Sequence, residues 1–85
     1  MRKEKSNYND HEKRLMELED LFVSEFVKLR HDNGLTQQKM ADSANVIRET
    51  IARIENKITS PQVNTLIKIL EPLGYTIKIE KINKK

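Results

Sequence analysis

Few residues in this chain are placed to do covalent chemistry. Its 85 residues include no cysteine, which removes thiol nucleophiles, disulfides and thiolate metal sites together. Its two glycines leave no phosphate-cradling loop. Ser24 forms no triad with His11 or His31. These two histidines fall twenty residues apart on what reads as one helix, too far to share a substrate or a metal. The expectation is a protein that is not an enzyme and takes no cofactor and no metal. What remains is hydrogen-bonding chemistry. From about Ile47 to Asn56 the outward positions are polar and long enough to reach the base edges of DNA. An arginine fork matches guanine O6 and N7, and a carboxylate accepts from cytosine N4.

Charge alone does not explain an affinity for nucleic acid. The net charge is +3, with −1 over residues 1–20, +1 over 21–60 and +3 over 61–85. That is not the basic block of a disordered nucleic-acid tail, so binding must come from a placed motif. The length allows a single domain with a small core, which a second copy would help to stabilise.

The elements that must position these residues are mainly helical. Leu15, Leu18, Phe22, Phe26 and Leu29 recur at steps of three and four from about Asp10, with Leu21, Val23 and Val27 widening that face. Asp10 is expected to cap this helix and Gly34 to end it, over roughly 30 Å. Thr36 caps a short second helix, Gln37 to Ser43, with Met40, Ala41 and Ala44 inward. Asn45 suits the left-handed turn. A third helix spans Ile47 to Asn56 and buries Ile51 and Ile54. Ser60-Pro61 reads as the start of a fourth, with Val63, Leu66, Ile67 and Leu70 inward, and Pro72 and Gly74 end it. Between Tyr75 and Ile82 the period changes: Tyr75, Ile77 and Ile79 alternate with Thr76, Lys78 and Glu80, which is strand spacing. A lone strand cannot satisfy its backbone, so its partner is the same segment of a second copy or a strand of another protein, the alternative being that the segment is a frayed tail. The expected organisation is a flexible start at 1–9, a helical domain at 10–74, and a strand with a basic tail at 75–85 serving dimerisation.

Two short helices joined by a tight turn, with a small residue at their crossing, suggest a helix-turn-helix. The run Leu35-Thr36-Gln37-Gln38-Lys39-Met40-Ala41, then Val46, then Thr50-Ile51-Ala52-Arg53-Ile54-Glu55-Asn56, followed by Ser60-Pro61 and Thr65-Leu66, closely resembles the phage-repressor/Cro (XRE) family. The resemblance is free of gaps from about Leu21 to Gly74. It implies a lambda-repressor-like domain of four to five helices that binds double-stranded operator DNA as a homodimer. Carried over, it points Arg48 and Glu49 into the major groove, with Arg53 one turn later. Glu49 then either accepts from a cytosine or orients Arg53 at i+4. Thr50 is expected on a phosphate or a thymine methyl, and Gln37 and Asn56 on phosphates. Gln38 joins this set. Lys39 and Lys57 are phosphate partners by charge. Arg30 and Glu55 match a buried ion pair and are read as structural. The chain departs from the family at Ile47, where Ser or Thr is usual, at Asn45 for the turn glycine, and at Lys57 for the glycine after Asn56. Ile47 is itself suited to a thymine methyl.

The flanks refine the expectation. The first helix extends about ten residues upstream of a minimal repressor domain. There Leu15, Met16 and Leu18 stand among Glu12, Glu17, Glu19 and Asp20. Such a stretch suits either a basic partner, with Leu15, Met16, Leu18 and Glu19 as contacts, or the chain's own core or dimer. After the last helix, Leu73-Gly74-Tyr75-Thr76-Ile77-Lys78-Ile79 resembles the tails of HigA-type antitoxins. This implies an antitoxin that represses its own operon and neutralises a small basic HigB-like mRNA-cleaving toxin, the alternative being a stand-alone repressor. No membrane span or secretory signal is visible, and a cytoplasmic location is expected.

Overall fold

The computed structural model describes residues 9–82. Four helices run in order: α1 Asp10–Asp32, α2 Gln37–Ala44, α3 Arg48–Glu55 and α4 Val63–Leu70, followed by one 3₁₀ turn over Glu71–Leu73. The expected flexible start up to residue 8 and the end of the basic tail, 83–85, lie outside the described residues. No helix among those described is long and apolar enough to cross a membrane.

Asn9 caps α1 in place of the expected Asp10. Its side chain accepts the Glu12 amide at 2.7 Å, while the Glu12 carboxylate accepts the Asn9 amide at 3.1 Å. This reciprocal box satisfies two donors that the first helical turn leaves free. Asp10 becomes the first helical residue, where its charge favours the positive end of the helix. Thr36 caps α2 as expected, accepting the Lys39 amide at 3.0 Å.

One cluster holds the four helices together: Phe26 of α1; Met40, Ala41 and Ala44 of α2; Ile51 and Ile54 of α3; Ile69 and Leu70 of α4. Met40, Ala41, Ile51 and Ile69 are fully buried. Ala41 leaves room for α2 to lie close against α3. Among the described residues, Phe22, Leu29, Leu35, Val46, Leu66, Leu73 and Ile77 pack around this cluster. Leu15, Met16 and Leu18 are not among them. Leu15 is half exposed, and Met16 and Leu18 are half-buried.

Each helical stretch ends in the same closure. The backbone turns left-handed at Gly34, Asn45, Lys57 and Gly74. The next amide then reaches back five residues: Leu35 to the Arg30 carbonyl, Val46 to Ala41, Ile58 to Arg53 and Tyr75 to Leu70, all at 2.9–3.1 Å. With two glycines for four such sites, the chain fills the others with Asn45 (φ 58°) and Lys57 (φ 59°). Asn tolerates this conformation through its short polar side chain; Lys has no such compensation.

Two expectations need correction. Ser60-Pro61 does not start α4. Gln62 is its cap residue, without a side-chain hydrogen bond, and the helix begins at Val63. The φ of proline fits an extended segment as well as a first helical turn. Within α4, Leu66, Ile69 and Leu70 face inward, and Val63 and Ile67 are exposed. An apolar run as dense as Val63–Leu70 does not define one face by periodicity. The second correction concerns Tyr75–Ile82, which forms no strand in the described chain. A strand needs a ladder partner, and no other strand is present among the described residues. The Tyr75 hydroxyl accepts from Asn33 Nδ2 at 3.4 Å, Ile77 packs on the core and Ile79 is fully exposed.

The turn at Asn45 sets the geometry of α2 on α3. Asn45→Val is expected to lower the unfolding free energy by about 1–2 kcal/mol, because a β-branched residue resists φ > 0. Asn45→Gly is expected to leave it nearly unchanged. The urea midpoints of the two variants check this.

Candidate nucleic-acid interface

Beneath the outer face of α3 lies a hydrogen-bonded pair of charges. Arg30, in the last turn of α1, presents Nε and one terminal nitrogen to the two Glu55 carboxylate oxygens at 2.7 and 3.0 Å. Its other terminal nitrogen donates to the Leu35 carbonyl at 3.0 Å. The two side chains are 11% and 7% exposed. This fork ties the end of α1, the loop before α2 and the end of α3 at one point. Gln37, the first residue of α2, adds a third donor: its Nε2 reaches Glu55 at 2.9 Å. No buried side-chain polar atom among the described residues is left without a partner.

Gln37 also faces outward. Its carbonyl oxygen accepts from the Arg48 guanidinium at 3.3 Å. Since its amide nitrogen is committed to Glu55, the orientation of the carboxamide is set from below, and its oxygen is turned toward Arg48. Arg30, Glu55, Gln37 and Arg48 therefore form one chain of contacts from the interior to the surface. Sequence reading had Gln37 as a phosphate ligand and missed this bridge. Its members come from α1, α2 and α3, and no local spacing signals it.

The rest of the outer face is open. Arg48, Glu49 and Arg53 are exposed and Thr50 is half-buried. Among the described residues no ion pair joins Glu49 to Arg53, so the i, i+4 pairing considered from the sequence does not hold them. At the edges, Gln38 donates to Asp42 at 2.8 Å and Asn56 is the exposed C-cap of α3. Lys57, in its left-handed turn, contacts Asp20 of α1 at 2.9 Å. Both members of that pair are well solvated, so the contact is weak and exchangeable. Ile47 precedes α3 with no side-chain cap and is 64% exposed.

A family model described as a helix-turn-helix matches residues 28–79, which includes all of α2, the turn at Asn45 and α3. The chain belongs to the XRE-like helix-turn-helix family. The matched stretch takes in two short helices joined by a tight turn, α2 and α3 about Asn45. A Haemophilus influenzae protein described as an uncharacterized HTH-type transcriptional regulator is 34% identical, over 87% of this chain and 84% of its own. A chain of a solved structure described as a toxin–antitoxin module from Streptococcus pneumoniae is 28% identical. That match covers 93% of this chain and 87% of the other, with a TM-score of 0.68.

The helix-turn-helix thus rests on the Arg30–Glu55 pair, whose charge state governs its stability. Burial pushes the Glu55 carboxyl up, but the hydrogen bonds from Arg30 and Gln37 outweigh it and hold the group below its ordinary value of 4.5. A carboxyl depressed in the folded state stabilises fully above its unfolded value and loses that contribution as pH falls through the folded value. The urea midpoint is therefore expected to fall as pH drops below 4.5, and Glu55→Gln to flatten that part of the profile. At neutral pH, Glu55→Ala strands the Arg30 charge and is expected to cost about 3–5 kcal/mol.

Proposed function

We propose that this protein is a DNA-binding transcriptional regulator and the antitoxin of a type II toxin–antitoxin pair. As a homodimer it binds its own operator through α2 and α3, represses its operon, and neutralises a small basic HigB-like mRNA-cleaving toxin. Arg48 and Arg53 read guanines in the major groove. Glu49 accepts from a cytosine, and Thr50 meets a phosphate or a thymine methyl. Gln37, Gln38, Asn56 and Lys57 hold the phosphate backbone. Gln37 keeps one Nε2 hydrogen for a phosphate while the other stays on Glu55. Lys57 exchanges Asp20 for a phosphate at little cost.

The observation that carries the DNA-binding reading is the pair of exposed arginines on α3, neither in a salt bridge among the described residues, with Arg48 hydrogen-bonded to Gln37 above the Arg30–Glu55 pair. The antitoxin reading is supported by the reach of the likeness to the Streptococcus pneumoniae module. At 93% of this chain it extends into the part of α1 that the family model leaves out. That part carries Leu15, half exposed, with Met16, Leu18 and Glu19 beside it, all apart from the core cluster. An apolar strip edged with carboxylates suits a basic protein partner. Tyr75, Ile77 and Ile79 are proposed to complete their strand with the same segment of a second copy, which would give the unladdered tail its partner. The second reading, a regulator without a toxin, is favoured by the likeness to the Haemophilus influenzae HTH-type transcriptional regulator.

Arg48→Ala and Arg53→Ala are each expected to weaken operator binding by about 1–3 kcal/mol and to relax specificity at one base pair. Electrophoretic mobility shifts on the promoter of the chain's own operon measure this. Unchanged affinity in the double variant would refute the assignment. Co-expression with the adjacent reading frame separates the two readings. A small basic protein that co-purifies, and is lost with Leu15→Asp plus Leu18→Asp, supports the antitoxin; no co-purifying protein supports the stand-alone regulator.

A further inference from the structure

Ile47 is costly to the free protein in two separate ways. It occupies the cap position of α3, where its φ of −84° and ψ of 155° are those of a cap residue, yet it offers no side-chain hydrogen bond. The Thr50 amide closes only on the Ile47 backbone carbonyl, at 3.0 Å. Serine, threonine, asparagine or aspartate would satisfy an additional free amide in this place. Ile47 also leaves a large aliphatic side chain 64% exposed. Its neighbour Val46 packs on the core, so the exposed isoleucine is not needed to anchor the turn. These costs fall at the leading end of the proposed recognition helix, immediately before Arg48.

We propose that Ile47 is a specificity-determining residue that packs on the 5-methyl group of a thymine beside the base pair read by Arg48. The inference rests on the DNA-binding reading given above. The thymine methyl is the one apolar feature that a base pair shows in the major groove, so an exposed aliphatic side chain there distinguishes thymine from the other bases. Glu49, next along α3, cannot do this, because a carboxylate loses hydration against a methyl group. Recognition by Ile47 needs no hydrogen bond and is indifferent to the missing cap. This gives the helix-turn-helix one apolar reader beside its two arginines.

The test uses the full-length protein and a duplex that it selects from a random 20-base-pair library. Each thymine is then replaced singly by deoxyuridine, which keeps the base pairing and removes only the methyl. For the wild type, one thymine per half-site is expected to show about a fourfold loss of affinity, the value of one buried methyl group. In Ile47→Ser that loss should vanish, while discrimination at the guanines read by Arg48 and Arg53 remains. Ile47→Val should retain it. Ile47→Ser should also melt roughly 4–8 °C higher, through its restored cap, which shows that the variant folds. Equal deoxyuridine profiles for Ile47→Ser and the wild type, or no thymine sensitive to loss of its methyl, would overturn the role of Ile47 and leave the arginine readers standing. Failure to enrich any duplex would instead overturn the DNA-binding reading itself.

Discussion

The bidentate contact between Arg30 and Glu55 is the constraint on which the rest of this small structure depends. The core is one cluster from four helices, and apolar packing is non-directional, so it specifies an orientation less sharply than a hydrogen-bonded ion pair does. A guanidinium fork on a carboxylate has one good geometry. By taking the Leu35 carbonyl and the Gln37 amide as well, the pair fixes where α2 begins relative to where α3 ends. Charges this well buried are not a gift of stability, since their desolvation offsets most of their attraction. What they provide is orientation. Gln37 passes that orientation to Arg48 on the surface, so a side chain proposed to read DNA is aligned before any DNA arrives.

Much of this was legible in the sequence because local rules and packing agree there. Thr36 as a cap, the left-handed Asn45, the inward Met40, Ala41 and Ala44, and Ile51 with Ile54 all follow from one register. The family resemblance rests on that same register, and the matched residues 28–79 contain it. The reading failed where a signal had two physical solutions. Ser60-Pro61 suits an extended segment as well as a helix start, and the dense apolar run after it hid which face α4 buries. Asn9 and Asp10 both suit a cap, and the reciprocal bond with Glu12 decides for Asn9. The strand spacing after Gly74 is present, but a strand belongs to two segments and one chain supplies one. The Gln37 bridge was out of reach because it exists only once α1, α2 and α3 have met.

The two ends of the chain stand apart from this frame. The first half of α1 runs beyond the core cluster with Leu15 half exposed, and beyond Ile77 the Ile79 side chain is fully exposed. The contact between Lys57 and Asp20 brings the loop after α3 against this half of α1. A surface suited to a protein partner and a surface suited to DNA are thus neighbours on one small domain. One contact between them is a partly solvated ion pair.

The central claim is that α3, aimed by the buried pair through Gln37, is the face that meets DNA. The most direct measurement is the amide chemical-shift map of the isotopically labelled protein titrated with its selected duplex. The largest changes are expected at the start of α2, around Gln37 and Gln38, and along Ile47–Arg53, with α4 and the first half of α1 little affected. Changes concentrated on the first half of α1 or on the tail, with α3 undisturbed, would contradict it.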